Sequence, residues 1–121
     1  MAFKDIEEVK DDHLHILWTN GDPISAQHMV LMYARNAILR KWWKNITVII
    51  WGSPQQLLFQ DEGVHLQMEL ARKAGVEFSA CIACARNLGT MEALKKDGIE
   101  IESWGERLSQ LIQNHKHILP L

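Results

Sequence analysis

Residues 45–51 read NITVIIW, and this stretch decides the fold. Its apolar residues are β-branched and continuous rather than alternating, which is the pattern of a strand buried on both faces. Strands of this kind occur in parallel sheets that carry helices on both sides. The tripeptide GSP at 52–54 then ends the strand. The stretch therefore predicts a parallel sheet inside an α/β domain.

The segments around this strand alternate between strand and helix patterns. The other strands are predicted at 13–19, 76–80, 99–103 and 116–119. The helices are predicted at 24–41, 55–74, 82–97 and 105–114, with Met29 and Ile112 among the side chains that face inward. In the third of them the Leu-Gly-Thr sequence at 88–90 indicates a point of interruption. We therefore expect a three-layer α/β/α sandwich around a mostly parallel five-stranded sheet. Residues 1–121 are expected to form a single domain, with residues 1–12 as a loose lead-in.

Composition and charge restrict the function. Thirteen basic and 15 acidic residues leave a formal charge of −2, which argues against nucleic acid or an anionic membrane as the main partner. No apolar run has the length of a membrane span, and the N-terminus lacks the apolar core of a secretory signal. We expect a cytoplasmic protein, in which a close cysteine pair is more often catalytic, redox-active or metal-binding than a structural disulfide.

The ends of the predicted strands indicate where a site should lie. Right-handed crossovers bring the C-terminal ends of parallel strands to one edge of the sheet, where α/β proteins bind ligands. The ligand-binding residues expected at this edge are Asn20, Gly21, Asp22, Gly52, Ser53 and Trp104. A turn or helix-cap role is the alternative for Asn20, Asp22 and Ser53, and a packing role is the alternative for Trp104 and Trp51.

The only two cysteines of the chain, Cys81 and Cys84, also fall at this edge. Cys81 follows a predicted strand and begins a helix, where backbone N–H groups favour an anion, so its thiol is expected to ionise readily and act as a nucleophile. Cys84 lies one helical turn further on, within disulfide distance of Cys81. It also continues the spacing Ala80–Cys84–Leu88 of an inward helix face, so a resolving thiol and a core residue both remain open.

A metal site is not predicted. A structural zinc site needs four ligands, and the chain offers two cysteines. His13 and His15 share a strand face, but they lie at the start of that strand, about 15–20 Å from Cys81. His115 and His117 are interpreted as solvated or hydrogen-bonded residues. No cofactor is expected.

The stretch VIIWGSP at 48–54 and the run ARKAGVEFSACIACARNLGTMEALKKDGIEIESWGERLSQLIQ at 71–113 resemble the DsrE/DsrF-like family, in particular its small stand-alone members. The similarity includes Trp-Gly after a strand, Ala-Cys-x-x-Cys-Ala at the end of the next strand, and a Gly-Ile-Glu strand. It implies a three-layer domain assembled as a homotrimer or homohexamer. In relay members of that family a cysteine, aligned with Cys81, accepts and passes on a persulfide. The partners implied are sulfur donor and acceptor proteins or small persulfides.

Three functions follow as hypotheses. The first is a sulfur-relay or sulfurtransferase-like protein that carries a persulfide on Cys81. The second is a non-catalytic oligomeric binding module for a small anionic ligand, since glycine turns at helix starts suit anions. The third is a thiol/disulfide redox protein that uses Cys81 and Cys84. The neighbours Trp42 and Trp43 cannot both face one core, so apolar surface for subunit contacts is expected there.

Overall fold

The computed structural model describes residues 12–121, so the lead-in predicted at 1–12 falls, except for Asp12, outside the described residues. In chain order the elements are β1 (His13–Trp18), α1 (23–39), β2 (Asn45–Ile50), α2 (Pro54–Gln60), α3 (Glu62–Ala74), β3 (Glu77–Cys81), α4 (Ile82–Leu88), α5 (Met91–Lys96), β4 (Glu100–Glu102), α6 (Trp104–Gln113) and β5 (His117–Pro120). None of the helices within 12–121 is both long enough and apolar enough to cross a membrane.

The strands form one sheet in the order β4-β3-β2-β1-β5, and every neighbouring pair is parallel. This confirms the predicted α/β sandwich, with a sheet that is parallel throughout the described residues rather than mostly so. β2 lies at the centre and is buried from Ile46 to Ile50, as its continuous apolar sequence predicts.

The first face of the sheet carries the main core. Helices α1 to α5 pack there on inward side chains of the strands, which are Leu14, Ile16, Trp18, Ile46, Val48, Ile50, Phe78 and Ala80. The crossovers from β1 to β4 all step in one direction along the sheet. Because each crossover is right-handed by rule, a common direction places all of these helices on the same face.

The second face is covered differently. β4 and β5 lie at opposite ends of the sheet, so the connection through α6 runs back across it, and α6 contacts β3 and β5. The helices that follow the adjacent strands β3 and β4 therefore leave on opposite faces. In open α/β sheets such a divergence opens a crevice at the carboxyl ends of the strands, where ligands bind. Cys81 lies at the end of β3, beside this crevice.

The amino-terminal half of the second face is polar. A cavity of about 80 Å³ lies here, between the sheet and the residues Trp104 and Arg107 of α6. The polar side chains of the sheet that line it are His13, His15, Thr47, Glu77, Ser79 and Glu100. Within the described residues, α6 is the one helix on this face, and it begins at the opposite, carboxyl end of the sheet. The residues of α6 that reach this cavity are Trp104 and Arg107, both in its first turn.

Two helix predictions were wrong in detail at α1 and α6. In α1 the stretch Ala26–Leu31 is π-helical, flanked by α-helical Pro23–Ser25 and Met32–Leu39. Its i→i+5 hydrogen bonding rotates the apolar stripe, so Met29 is exposed and Leu31 is buried instead. Ile112 of α6 is also exposed, because α6 buries fully only its first residue, Trp104.

Two further predicted helices are divided in the structure, the first against its pattern and the second at the Leu-Gly-Thr sequence, as predicted. The helix expected at 55–74 breaks at Asp61, whose carboxylate accepts a hydrogen bond from the Val64 N–H at 3.0 Å and so caps α3. The helix expected at 82–97 is interrupted at the Leu-Gly-Thr sequence, where Gly89 has a φ of +70° and ends α4. β3 is shifted by one residue and includes Cys81, and β5 includes Pro120.

Candidate functional site

The loops that follow β1 and β2 meet at the carboxyl edge, as the sequence predicts. The Trp51 N–H donates to the Trp18 carbonyl at 3.0 Å, which joins the two strand ends. Gly21 approaches Ser53 so closely that a Cβ added to this glycine would lie 2.5 Å from the Ser53 Oγ. Any side chain at position 21 would therefore force the Ser53 side chain to move, and glycine lets the two loops touch without that shift.

Asn20 and Asp22 are committed to local structure. The Asn20 side-chain oxygen accepts a hydrogen bond from the Asp22 N–H at 2.8 Å. The Asp22 carboxylate in turn accepts from the Ser25 N–H at 2.8 Å and caps α1. The hydrogen bond from the Ser25 N–H, and to a smaller extent one from the Ser25 hydroxyl, lowers the pKa of the Asp22 carboxyl group. The turn and cap roles are thus the ones that these two side chains fill.

Cys81 is buried beneath a tryptophan. It is the last residue of β3, its exposed fraction is 3%, and it packs with Ile49 and Trp104. The Trp104 indole is fixed in place because its Nε1–H donates to the Ser79 hydroxyl at 2.8 Å. The Arg107 guanidinium lies over the same ring, 4.4 Å from its centroid. Trp104 therefore forms a roof over Cys81 and shields it from solvent.

Cys84 is only half-buried, although it belongs to the same cluster as Cys81. The inward position of α4 is taken by Ala85, so the expected stripe through Cys84 is wrong by one residue. Both cysteines are free thiols. Burial raises the pKa of the Cys84 thiol, the backbone N–H of Gly52 acts in the opposite direction, and the charge and hydrogen bond of Cys81 raise it further. The two thiols are thus direct neighbours.

The backbone donor of this site differs from the expected one. The sequence predicts that N–H groups at the start of a helix face Cys81, yet α4 has seven residues and, among the described residues, the Cys81 side chain caps none of its N–H groups. The backbone N–H that favours a thiolate at this site belongs to Gly52, and it lowers the pKa of Cys84. Gly52 has a φ of +83°, a backbone conformation that favours glycine.

Sequence reasoning missed Gln55 and Thr90. The Gln55 amide is fully buried and donates to the carbonyls of Ile50 and Cys81, at 2.9 and 3.1 Å. Its oxygen accepts from the Thr90 hydroxyl at 2.8 Å. This amide joins the ends of β2 and β3 and fixes the peptide of Cys81. A glutamine in the first turn of a helix gives no sequence signal for such a role.

Glu102 is the charged neighbour of Cys81 on the sheet. It is the register partner of Cys81 across β3 and β4, which places both side chains on the second face. Glu102 forms an ion pair with Arg107. The same arginine therefore contacts both the roof of Cys81 and the carboxylate next to it.

His13 and His15 lie in the polar half of the second face, where the ring of His15 packs edge-on against Trp104 with centroids 6.4 Å apart. His13 stacks on His15 with ring centroids 4.1 Å apart, and its Nε2 is 2.8 Å from the Thr47 hydroxyl on the polar half of the second face. His117 packs edge-on against Trp43.

Within residues 12–121, one group has the composition of a metal site, namely His65, Glu69 and Asp97. His65 Nε2 lies 3.1 Å from an oxygen of Asp97. Arg72 already pairs with Glu69 and Asp97, so the group is an ion-pair network that ties α3 to the end of α5.

An all-parallel α/β sandwich with two adjacent free thiols at its carboxyl edge defines the class of this protein. The sequence matches no family model and no curated protein. Among solved structures it is similar to BT1422, a conserved protein of unknown function from Bacteroides thetaiotaomicron, with 32% identity and a TM-score of 0.86. The match covers 91% of this chain and 95% of the other. The chain belongs to the same family as that protein.

Proposed function

We propose that the protein is a sulfur-relay or sulfurtransferase-like carrier that holds a persulfide on Cys81. The observation that carries this proposal is the contact between two free thiols of unequal exposure, one beneath Trp104 and one half-open to solvent. A persulfide must be reachable by its donor and yet protected from other thiols. A buried thiol with a half-exposed neighbour meets both needs.

The proposed chemistry uses no cofactor. A thiolate of the protein attacks the outer sulfur of a donor persulfide, R–S–SH, so that a new S–S bond forms and the donor's S–S bond breaks. The donor leaves as a thiol, taking the proton that the protein thiol gives up. An acceptor thiol removes the sulfur by the same exchange. Trp104 supports retention because it excludes water and small thiols from Cys81.

The proposal includes the setting of this chemistry. The donors and acceptors are sulfur-carrying proteins or small persulfides, and the assembly is a homotrimer or homohexamer. The cytoplasm suits the protein because its reducing conditions keep thiols free. The DsrE/DsrF-like resemblance supports this scheme, as does the position of Cys81 at the end of the third strand.

Retention of sulfur after a thiol challenge tests the proposal. The wild-type protein is incubated with glutathione persulfide and washed with excess glutathione. Its intact mass is then measured by mass spectrometry. We expect one retained sulfur atom per chain in the wild type, and none in Cys81→Ala. The control Ala83→Ser changes an exposed side chain between the two cysteines and should retain sulfur like the wild type. A Cys81→Ala variant that retains as much sulfur as the wild type contradicts the proposal.

A second candidate function is reversible disulfide exchange, and the contact between the two thiols favours it. Glutathione disulfide would take up two electrons and two protons as the Cys81–Cys84 bond forms. Equilibration in glutathione redox buffers, followed by alkylation of the remaining thiols, measures this couple. Thiols that stay fully reduced in the most oxidising buffer exclude disulfide exchange.

The binding-module hypothesis stays a prediction. A rise in the melting temperature of Cys81→Ala/Cys84→Ala on addition of a small anion would support it.

A further inference from the structure

We propose that sulfur enters the protein at Cys84 and passes from there to Cys81. This inference rests on the proposed function and specifies the route to its storage site. Cys84 then becomes the residue that meets the donor, and Cys81 becomes the residue that keeps the sulfur.

The unequal exposure of the two thiols is the first argument. A donor thiol must leave in line with the bond that forms, so the attacking sulfur needs open space in front of it. Cys81 has an exposed fraction of 3% and lies beneath Trp104. That roof is held by the hydrogen bond from Trp104 to Ser79 and by Arg107 above the ring. Cys84 is half-buried and lies on the outer side of the same cluster.

The environment of the Cys84 sulfur is the second argument. Cys84 packs against the cluster that contains Cys81, and of the groups around its sulfur the Gly52 N–H lowers the pKa of the thiol while Cys81 raises it. When the Cys81 sulfur attacks the outer sulfur of a Cys84 persulfide, Cys84 departs as a thiolate. A backbone N–H directed at that atom stabilises the developing negative charge. The Gly52 N–H thus acts on the Cys84 sulfur, which is the leaving group when sulfur passes from Cys84 to Cys81.

The internal step is balanced without any further reactant. The bond between the Cys84 Sγ and the outer sulfur breaks, and a bond between the Cys81 Sγ and the same sulfur forms. The proton lost by the Cys81 thiol ends on Cys84. No net oxidation occurs, because a Cys84 persulfide and a Cys81 thiol become a Cys81 persulfide and a Cys84 thiol. The peptide of Cys81 stays in place during the exchange because Gln55 holds its carbonyl.

A timed loading experiment tests the route. The protein is mixed with glutathione persulfide, samples are quenched with iodoacetamide at intervals, and fragmentation between Cys81 and Cys84 locates the added sulfur. In the wild type we expect sulfur first on Cys84 and later on Cys81. Cys81→Ala should accumulate sulfur on Cys84 and lose it to a glutathione wash. Cys84→Ala should load Cys81 at least about tenfold more slowly than the wild type, because a buried thiol reacts only after local opening.

The controls separate the two proposals. Cys84→Ser keeps a polar atom beside Gly52 without a sulfur, so it should load as slowly as Cys84→Ala if the fold is intact. Loading of Cys81 at the wild-type rate in both Cys84 variants overturns the route but leaves the carrier function standing. Wild-type protein that gains no more sulfur than Cys81→Ala/Cys84→Ala overturns both.

Discussion

Two cysteines separated by two residues have quite different surroundings in this protein. Cys81 belongs to a strand and is covered by Trp104, whereas Cys84 lies on the first turn of α4 and is half-open. Their sulfur atoms are nevertheless neighbours. A short spacing therefore gives the protein one protected thiol and one accessible thiol at a single place.

The reactivity of Cys84 should depend on its partner thiol. Its pKa is raised by burial and by Cys81, so at pH 8 it should react with iodoacetamide more slowly than the thiol of glutathione does. Cys81→Ala removes the contribution of the partner, which should lower the pKa of Cys84 and speed its alkylation at that pH. Rates measured by peptide mapping from pH 7 to about pH 10 give the titration midpoint of each form. An unchanged midpoint in Cys81→Ala argues against coupling between the thiols.

The sequence predicts the location of these residues better than their environment. Right-handed crossovers are enough to place Cys81, Gly52 and Trp104 at one edge. Whether a thiol at that edge is open depends on the direction in which the next helices leave the sheet. That direction is set by the strand order, and the strand order is not written in any local pattern. The sequence therefore did not decide which of the two cysteines is exposed.

At the scale of elements, one buried amide holds the carboxyl edge together. Gln55 of α2 bonds to the last residues of β2 and β3 and to Thr90 before α5. Hydrogen bonds between strands stop at these residues, so the edge needs another link, and the side-chain amide supplies both donors and an acceptor.

Gln55→Ala should destabilise the fold strongly. The change leaves two buried carbonyls and one buried hydroxyl without partners, which we expect to lower the free energy of unfolding by about 2–4 kcal/mol. Gln60→Ala, at an exposed position of the same helix, should change it by less than about 0.5 kcal/mol. Urea unfolding followed by circular dichroism measures both. Equal effects of the two substitutions contradict the role given to Gln55.

The elements themselves follow largely from periodicity and turn residues. The alternation of strand and helix patterns predicts all five described strands and their order along the chain. The break at Gly89 is indicated by the Leu-Gly-Thr sequence, whereas the break at Asp61 is harder to predict, because the apolar spacing continues across it. The π-helical stretch in α1 is invisible to a pattern that assumes a regular helix.

The whole molecule is covered unevenly. Helices α1 to α5 lie on one face, and within the described residues α6 alone lies on the other. Large apolar side chains also remain exposed, among them Trp42 with an exposed fraction of 55% beside a half-buried Trp43. One of the two adjacent tryptophans is therefore exposed, as their spacing predicts.

We expect the protein to assemble in solution, with Trp42 in a subunit contact. Light scattering after size-exclusion chromatography should give three or six times the chain mass of 13.9 kDa. Trp42→Ser should shift the distribution toward lighter species, because it removes an apolar side chain from the contact. The control Lys44→Ser, at a nearby exposed position, should leave the mass of the assembly unaltered. A wild-type mass of one chain contradicts this expectation.

The last strand limits how copies of this protein can associate. Among the strands of residues 12–121, β5 lies at an edge of the sheet. The backbone of Leu121 bonds to the β1 side through the Leu17 carbonyl and the Thr19 N–H. Pro120, next to Leu121, therefore points its nitrogen away from the sheet, and that nitrogen has no hydrogen to donate. A strand from another molecule would find a gap in the row of donors there. Continuous edge-to-edge polymerisation is disfavoured on this side, so growth into fibrils is restrained while closed assemblies remain accessible.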